Sequence, residues 1–166
     1  EQSLLSAAHS DLLTGLPNRR AFEELIAHRA RLARPGRDCL ALLDLDKFKS
    51  VNDTYGHDVG DAVLKGFAEV ARRLVRSHDT VARFGGEEFV ILFEDTSIEQ
   101  AFQVCERMRR VLGATPLATP AGPLKVTASG GVAVIGRTGL SAAMKAADEA
   151  LYRAKKGGRD QLLLAA

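Results

Sequence analysis

Two adjacent carboxylates, Glu87 and Glu88, directly follow the glycine pair Gly85-Gly86 in a stretch of apolar and aromatic residues. The flanking residues favour strands, so the glycines predict a tight hairpin, and they also let a large ligand come close to the backbone. Adjacent acids repel each other and are poor strand formers, so strand stability does not explain their presence. The pattern therefore indicates a site that binds a cation together with a negatively charged ligand.

A second pair of acids, Asp44 and Asp46, closes the apolar run 39–45. Mg²⁺ takes oxygen ligands and is commonly held by one or two carboxylates plus the phosphates of a substrate. Asp44 fits this role if the hairpin folds beside its strand, because Glu87 then supplies the second carboxylate. Asp46 better suits a structural role, as the cap of a short helix over 47–52.

Basic side chains and backbone N–H groups that suit phosphate lie in two segments of the chain. Lys47 and Phe48 open the short helix, whose first N–H groups can bind phosphate, and Lys49 can reach the terminal phosphates. Lys155 and Arg159 flank a double glycine near the end of the chain. Taken alone, this second segment is better explained as a basic helix C-terminus stabilised by the helix dipole.

Asn52 and Asp61 form a polar pair on either side of a turn-like segment that contains His57. Such a pair can bind the edge of guanine, because aspartate accepts hydrogen bonds from N1–H and from the 2-amino group. Turn formation and capping of the following helix explain the same residues, and spacing does not decide between the two. For His57 a structural role in the turn is the simpler interpretation.

Length and composition indicate one globular domain. The chain has 166 residues, of which 46% are hydrophobic, and a net charge of +2, which excludes a polycation that binds nucleic acid. Cys39 and Cys105 lie in apolar stretches and are expected to be buried free thiols, as suits a reducing cytosol. The apolar residues ahead of the first motif predict that 1–10 form the end of an upstream linker helix and that 11–166 form the domain.

The apolar periodicity alternates between helix and strand patterns along the chain. Helices are predicted to begin after Asn18 and to cover 59–75, 98–112 and 142–156, and strands to cover 39–45, 80–84, 88–93, 125–135 and 162–164. The order strand, helix, strand, strand, helix, strand indicates an α+β fold of the ferredoxin-like, split βαβ class. We expect a mostly antiparallel central sheet, flanked by helices packed on one face, in which the first strand and the hairpin are neighbours.

The chain contains several long motifs. In chain order they are Asp11–Arg20, Leu43–Lys49, Val51–His57 followed by Gly60-Asp61, Gly85–Phe89 and Ala147–Lys155. Together they resemble the diguanylate cyclase family, the GGDEF domains, here with the variant spelling Gly-Gly-Glu-Glu-Phe. The resemblance extends from Asp11 to Asp160. It implies the palm-like fold of the nucleotidyl cyclases.

The resemblance implies a nucleotidyltransferase of bacterial signalling. Such an enzyme condenses two GTP into cyclic di-GMP with release of two pyrophosphates, and two domains face each other as a homodimer. The implied cofactor is Mg²⁺ or Mn²⁺, two ions per GTP. The implied location is the cytoplasm, with no nucleic acid partner and no direct membrane contact by this domain, although the full-length protein is open to membrane anchoring.

By the family pattern, specific residues of this chain receive roles at the active site. The implied metal ligands are Asp44, the carbonyl of Leu45, and Glu87, and the implied catalytic residues are Glu87, which also helps to deprotonate the 3′-hydroxyl, Asp44 and Lys49. The implied substrate-binding residues are Lys47, Phe48, Lys49, Lys155 and Arg159 for the phosphates, Asn52 and Asp61 for guanine, and His57, Gly85 and Gly86. The role of Glu88 stays open.

A further motif, Arg76-Ser77-His78-Asp79, lies shortly before the hairpin. By spacing alone it is a helix-ending arginine followed by a turn aspartate. By the resemblance it is the RxxD motif of an inhibitory site for cyclic di-GMP, where arginine binds guanine O6 and N7. Arg107, on the next predicted helix, corresponds to the additional arginine of that site.

Two alternatives to an active enzyme remain at this point. One is a catalytically silent module that senses GTP or cyclic di-GMP, and the other is a dimerisation domain that follows a coiled-coil stalk. All of the acids and guanine-binding residues of the pattern are present, which favours the enzyme. Ten residues before the first motif are too few to establish a heptad.

Overall fold

The computed structural model describes residues 9–31, 37–137 and 139–165. In chain order its elements are α1 (Arg19–Ala30), β1 (Asp38–Leu45), α2 (Phe48–Tyr55), α3 (His57–Leu74), β2 (Thr80–Gly85), β3 (Glu88–Phe93), α4 (Ile98–Ala114), β4 (Ala128–Ile135), α5 (Gly139–Lys156) and β5 (Leu162–Leu164). The predicted elements are confirmed, with the fourth strand shorter at its start than the predicted 125–135. The predicted linker helix covers 1–10, of which 1–8 lie outside the described residues.

The five strands form one sheet in the order β2-β3-β1-β4-β5. Pairing is antiparallel except between β4 and β5, which are parallel. The sheet is therefore mostly antiparallel, as predicted, and β5 lies at its edge. The central strand β1 is buried along its whole length because it has a strand on each side and helices on both faces.

Two hydrophobic cores lie on opposite faces of the sheet, because successive side chains of a strand point to opposite sides. Cys39 and Leu43 of β1 pack in one core with residues of α3 and α4. Leu40 and Leu42 pack in the other with residues of α1 and α5. The expectation that the helices pack on one face is therefore wrong. The continuously apolar sequence of β1 is typical of a strand that is buried on both faces.

The helix α5 approaches the sheet closely at Gly131 in β4. A Cβ atom at this position would lie 2.1 Å from the carbonyl oxygen of Ala147 and 2.8 Å from the Cβ of Ala150. The close approach of α5 to the sheet thus requires both the small residues along this face of α5 and the glycine in β4. The close packing fixes the end of α5, and with it Lys155, against the sheet.

Local sequence signals account for the starts of two helices. The Asn18 side chain accepts a hydrogen bond from the N–H of Ala21, so it caps α1 as predicted. Ser97 and Gln100 form a reciprocal capping box at the start of α4. Both cysteines are buried free thiols, also as predicted. Among the described residues, no helix combines the length and the apolarity needed to cross a membrane.

Candidate active site at the end of the central strand

The hairpin turn lies beside the end of β1, as the sequence predicts. Asp44 stands directly across from Glu88 in β3 on one side and from Ser129 in β4 on the other. The N–H of Leu45 donates to the carbonyl oxygen of Glu87 over 3.4 Å. The fold thus brings together Asp44, the backbone of Leu45 and Glu87, which are the expected metal ligands.

One oxygen of the Asp44 carboxylate is buried without a partner. Asp44 is 7% exposed, and its Oδ2 accepts a hydrogen bond from the ammonium group of Lys155. Its Oδ1 has no hydrogen-bond partner among the described residues. Burial raises the pKa of Asp44, the Lys155 ammonium opposes the rise, and the charges of Glu87 and Asp46 add to it. The carboxylate therefore lacks positive charge on one side.

The neighbouring Glu88 carboxyl experiences the same excess of negative charge. Burial raises its pKa, the charges of Asp44 and Asp148 add to the rise, and the charges of Lys155 and Arg19 oppose it. A hard divalent cation would relieve this crowding, since it prefers oxygen ligands and neutralises several carboxylates at once.

The donor set at the strand end is compatible with such a cation. Within 9–31, 37–137 and 139–165, no group of three or more His, Cys, Asp or Glu side chains is arranged to hold a metal ion. Two carboxylates and a backbone carbonyl leave coordination positions for water and for phosphate oxygens, which is how Mg²⁺ is commonly bound in phosphoryl-transfer sites. The orphaned Oδ1 of Asp44 is the observation that supports this fit.

Asp46 does not cap the short helix, and the prediction that it does is wrong. Its Oδ1 accepts from the Ser129 hydroxyl at 2.7 Å. Its Oδ2 accepts from the Thr127 hydroxyl at 2.7 Å and from the backbone N–H of Asp160 at 3.0 Å. The carboxylate instead ties β1 to β4 and to the turn after α5, because the chain turns away at Lys47 before the helix begins.

The start of α2 is suited to bind an anion. The N-cap residue Lys47 has a left-handed backbone (φ 56°), and no side chain of the described residues caps the helix. Uncapped N–H groups at a helix start attract phosphate. Lys47 and Lys49 are exposed here, whereas Phe48 is buried and anchors the helix in the core.

The second basic segment lies next to this helix start. The hydrogen bond from Asp160 to Asp46 joins the turn that carries the exposed Arg159 to the residue that precedes Lys47. Lys155 enters the site from α5 and pairs with Asp44. The sequence predicted the two basic segments but not these two links, because both join residues that are more than a hundred positions apart.

The expected guanine-binding residues lie on two helices that pack together. Asn52 in α2 has a buried Oδ1 without a partner among the described residues. A Cβ atom at Gly60 in α3 would lie 1.8 Å from this oxygen, so only glycine permits the contact. The next residue, Asp61, is exposed, and so is His57 at the start of α3. A buried acceptor beside an exposed carboxylate is complementary to the N–H groups of guanine.

The hairpin turn is held by an arginine whose role the sequence interpretation missed. Gly85 (φ 132°) and Gly86 (φ 51°) adopt backbone conformations that favour glycine. The Arg83 guanidinium donates to the Gly86 carbonyl oxygen at 3.0 and 2.8 Å and pairs with Asp11 at 3.0 Å. The signal that could have indicated this role is an arginine two residues before a double glycine.

The ion pair between Arg83 and Asp11 anchors the N-terminal motif, Asp11–Arg20, to the hairpin. Burial raises the pKa of Asp11, but hydrogen bonds from Thr14 and Arg83 and the charge of Arg83 outweigh it, so the pKa falls below its usual value. The carboxylate is therefore stabilised in its charged form.

The residues of the RxxD motif pair with each other. The Asp79 side chain is fully buried and accepts from the Arg76 guanidinium at 3.2 and 3.3 Å and from the Arg76 backbone N–H at 3.1 Å. Arg76 also donates to the Thr96 hydroxyl. Arg107 is exposed on α4, and none of the contacts among the described residues joins it to Arg76 or Asp79.

Comparison with known proteins identifies close relatives of the chain. A family model described as diguanylate cyclase, GGDEF domain, matches residues 8–161. Diguanylate cyclase DgcP of Pseudomonas aeruginosa is 47% identical over 161 residues, which are 95% of this chain and 24% of that protein. The chain thus spans about a quarter of the length of this curated relative.

Solved structures share the fold over nearly the whole chain. The diguanylate cyclase SiaD of Pseudomonas aeruginosa, solved with its activator SiaC, superimposes with a TM-score of 0.90 at 40% identity, covering 99% of this chain and 64% of that one. The coiled coil and GGDEF domain of DgcB from Caulobacter crescentus, solved with c-di-GMP, gives a TM-score of 0.91 at 31% identity, covering 99% and 89%.

Proposed function

Since the chain belongs to the GGDEF domain family, we propose that it is a diguanylate cyclase that converts two GTP into cyclic di-GMP and two pyrophosphates. The observation that carries the proposal is the buried, unpartnered Oδ1 of Asp44 beside the Glu87 turn. This is the arrangement needed where a cation joins protein carboxylates to a triphosphate.

Asp44, the carbonyl of Leu45 and Glu87 hold two Mg²⁺ or Mn²⁺ ions per GTP in this proposal. When bound, these ions neutralise the charge that develops on the phosphates during transfer. The raised pKa of Asp44 supports the assignment, because a bound cation would offset the excess negative charge that burial and the neighbouring acids create.

The chain's own side chains bind and orient the nucleotide. Lys49, Lys155 and the N–H groups at the start of α2 bind the β- and γ-phosphates, with Arg159 beside them. Asn52 accepts from the guanine N–H groups together with Asp61. The unpartnered Oδ1 of Asn52 supports this role, since a buried acceptor without a donor is costly unless a ligand supplies one.

The chemistry requires two domains that face each other. The 3′-hydroxyl oxygen of one GTP attacks the α-phosphorus of the other, and the bond from that phosphorus to the bridging oxygen breaks, so that pyrophosphate leaves. Glu87 accepts the proton of the hydroxyl group. In a second step of the same kind, the 3′-hydroxyl oxygen of the other nucleotide attacks the α-phosphorus of the first. This attack closes the ring and releases the second pyrophosphate. Each domain supplies half of the assembled site, because one domain binds one GTP.

Product feedback at the RxxD motif belongs to the same proposal. Arg76, held in place by the buried Asp79, and Arg107 from α4 bind the guanine edges of cyclic di-GMP. The exposed part of the Arg76 guanidinium supports this, since arginine pairs with guanine O6 and N7. The relative DgcB was solved with c-di-GMP, which is consistent with a product-binding surface in the family.

A turnover assay tests the proposal. The purified domain is incubated with GTP and Mg²⁺ over a range of protein concentrations, and the nucleotides are separated by chromatography. We expect cyclic di-GMP and pyrophosphate in a ratio of one to two, with a rate per domain that rises with protein concentration. Binding of cyclic di-GMP without any turnover of GTP at the highest concentration would reject the enzyme in favour of a sensing module.

A further inference from the structure

A series of hydrogen bonds outside the proposed metal and guanine sites connects α4 to the loop that carries Lys47, which we call the phosphate loop. The Arg109 guanidinium donates from Nη1 to the Asp160 carboxylate at 2.9 Å and to its carbonyl oxygen at 3.3 Å. The N–H of Asp160 donates to Asp46, whose other contacts are the hydroxyl groups on the β4 side. The series therefore runs from α4 through the turn after α5 to the residue that precedes Lys47.

Two segments joined by this series adopt an unfavourable backbone conformation. Lys47, Arg159 and Asp160 have positive φ angles of 56°, 65° and 45°, although none of them is glycine. A left-handed conformation is unfavourable for an L-residue, so it persists where surrounding contacts fix it. Asp46 and Arg109 provide such contacts at Asp160, since Asp46 binds its backbone N–H and Arg109 binds its carbonyl oxygen.

Arg109 is built into the structure rather than lying free on the helix surface. Its side chain is 20% exposed, and it also pairs with Glu106 one turn earlier on α4. An arginine that bridges two carboxylates has little freedom to move, because each charge-assisted hydrogen bond fixes the guanidinium plane. Arg110, the next residue, is exposed and serves as a comparison.

We propose that Arg109 is a positioning residue of the triphosphate site: through Asp160 it holds the turn that carries Arg159 against the loop that carries Lys47, at the start of α2. The inference rests on the proposed function, because it takes the anion at this loop to be the triphosphate of GTP. Loss of the link lets the turn relax, so that Arg159 and the start of α2 no longer approach the phosphates together.

The test compares Arg109→Met and Asp160→Asn with the control Arg110→Met, which removes the same charge from α4. We expect each of the first two variants to raise the KM for GTP about tenfold while kcat stays within about twofold, because the contact affects binding and not the reacting atoms. The double variant should add little to either single change. Arg109→Lys should recover part of the loss, since lysine can reach Asp160 but cannot bridge both acids.

Binding without turnover separates this inference from the proposed function. Calorimetry with 3′-deoxy-GTP, which lacks the attacking hydroxyl, and with inorganic tripolyphosphate measures affinity directly. A wild-type domain that binds both anions but makes no cyclic di-GMP would reject the proposed cyclase activity. The affinities of the Arg109 and Asp160 variants for the two anions would still test the role of Arg109. Equal affinities in Arg109→Met and Arg110→Met would overturn the inference. So would a parallel loss of kcat, affinity and melting temperature in Asp160→Asn, which would indicate a merely structural contact.

Discussion

At the scale of single residues, Asp44 combines features that a purely structural acid would avoid. It is buried, it faces Glu88 across the strand pair, and within the described part of the chain only one of its oxygens has a partner. The Lys155 ammonium compensates part of the charge, but the pKa of the carboxyl still lies above its usual value because burial dominates. Such a group lowers stability at neutral pH, which is typical of residues that bind a ligand or a cation.

The first prediction concerns the two acids of the expected metal site. Asp44→Ala and Glu87→Ala should each lower the turnover of GTP by about 100-fold or more, because each removes a ligand of the ions that neutralise the phosphates. The fold should stay intact, which far-ultraviolet circular dichroism and thermal unfolding measure. Turnover that survives in either folded variant would place the metal elsewhere.

The second prediction concerns the RxxD motif. Arg76→Ala should relieve inhibition by cyclic di-GMP and leave the initial rate without product close to that of the wild type, since the residue lies apart from the phosphate loop. Inhibition curves at increasing product concentration measure this effect. Arg110→Ala serves as the control on α4, and an inhibition curve for Arg76→Ala that overlays the wild type contradicts the assignment.

At the scale of elements, the close approach of α5 to β4 positions Lys155. Gly131→Ala should destabilise the domain by about 3 kcal/mol, because the added methyl would meet a backbone carbonyl that cannot move without shifting the helix. The control is Gly113→Ala in α4, where the added methyl would meet only the Thr127 side chain at 3.9 Å. This change should stabilise the protein by about 0.5–1 kcal/mol. Urea denaturation of both variants measures the difference, and equal effects would refute the packing argument.

The link between the N-terminal motif and the hairpin gives a prediction with a pH dependence. The pKa of Asp11 is lowered in the fold, so the group stabilises the protein at pH values above its usual value of 3.8, and this stability is lost as the pH falls through the lowered pKa. Asp11→Asn should cost about 1 kcal/mol at pH 7. The difference between the two unfolding free energies should shrink as the pH falls below about 4. A difference that stays constant down to the lowest pH would show that the charge is not the cause.

The sequence predicts the elements well because their signals are local. The apolar run of β1, the cap at Asn18 and the double glycine of the hairpin each depend on neighbouring residues only. The bonds of Asp46 could not be predicted, because its partners Thr127, Ser129 and Asp160 lie in segments that only the completed fold brings together. The packing of helices on both faces of the sheet could have been predicted from the sequence, because β1 is apolar at successive positions and such a strand is buried on both faces.

At the scale of the whole molecule, the expected catalytic groups gather at one end of the sheet. The end of β1, the β2–β3 hairpin, the start of α2 and the end of α5 meet there, while the RxxD motif lies at the end of α3. The arrangement gathers the acids, the basic groups and the pair that is proposed to bind guanine. In the proposed function, a single domain therefore offers half of what a reaction between two nucleotides requires.

The central claim is that Asp44 and Glu87 hold divalent cations over the triphosphate, and a count of bound ions tests it most directly. Electron paramagnetic resonance of Mn²⁺, titrated into the domain with saturating 3′-deoxy-GTP, measures the bound ions without turnover. We expect about two tightly bound ions per nucleotide in the wild type and fewer, more weakly bound ions in Asp44→Ala. The same number of ions bound with the same affinity in both proteins would contradict the account.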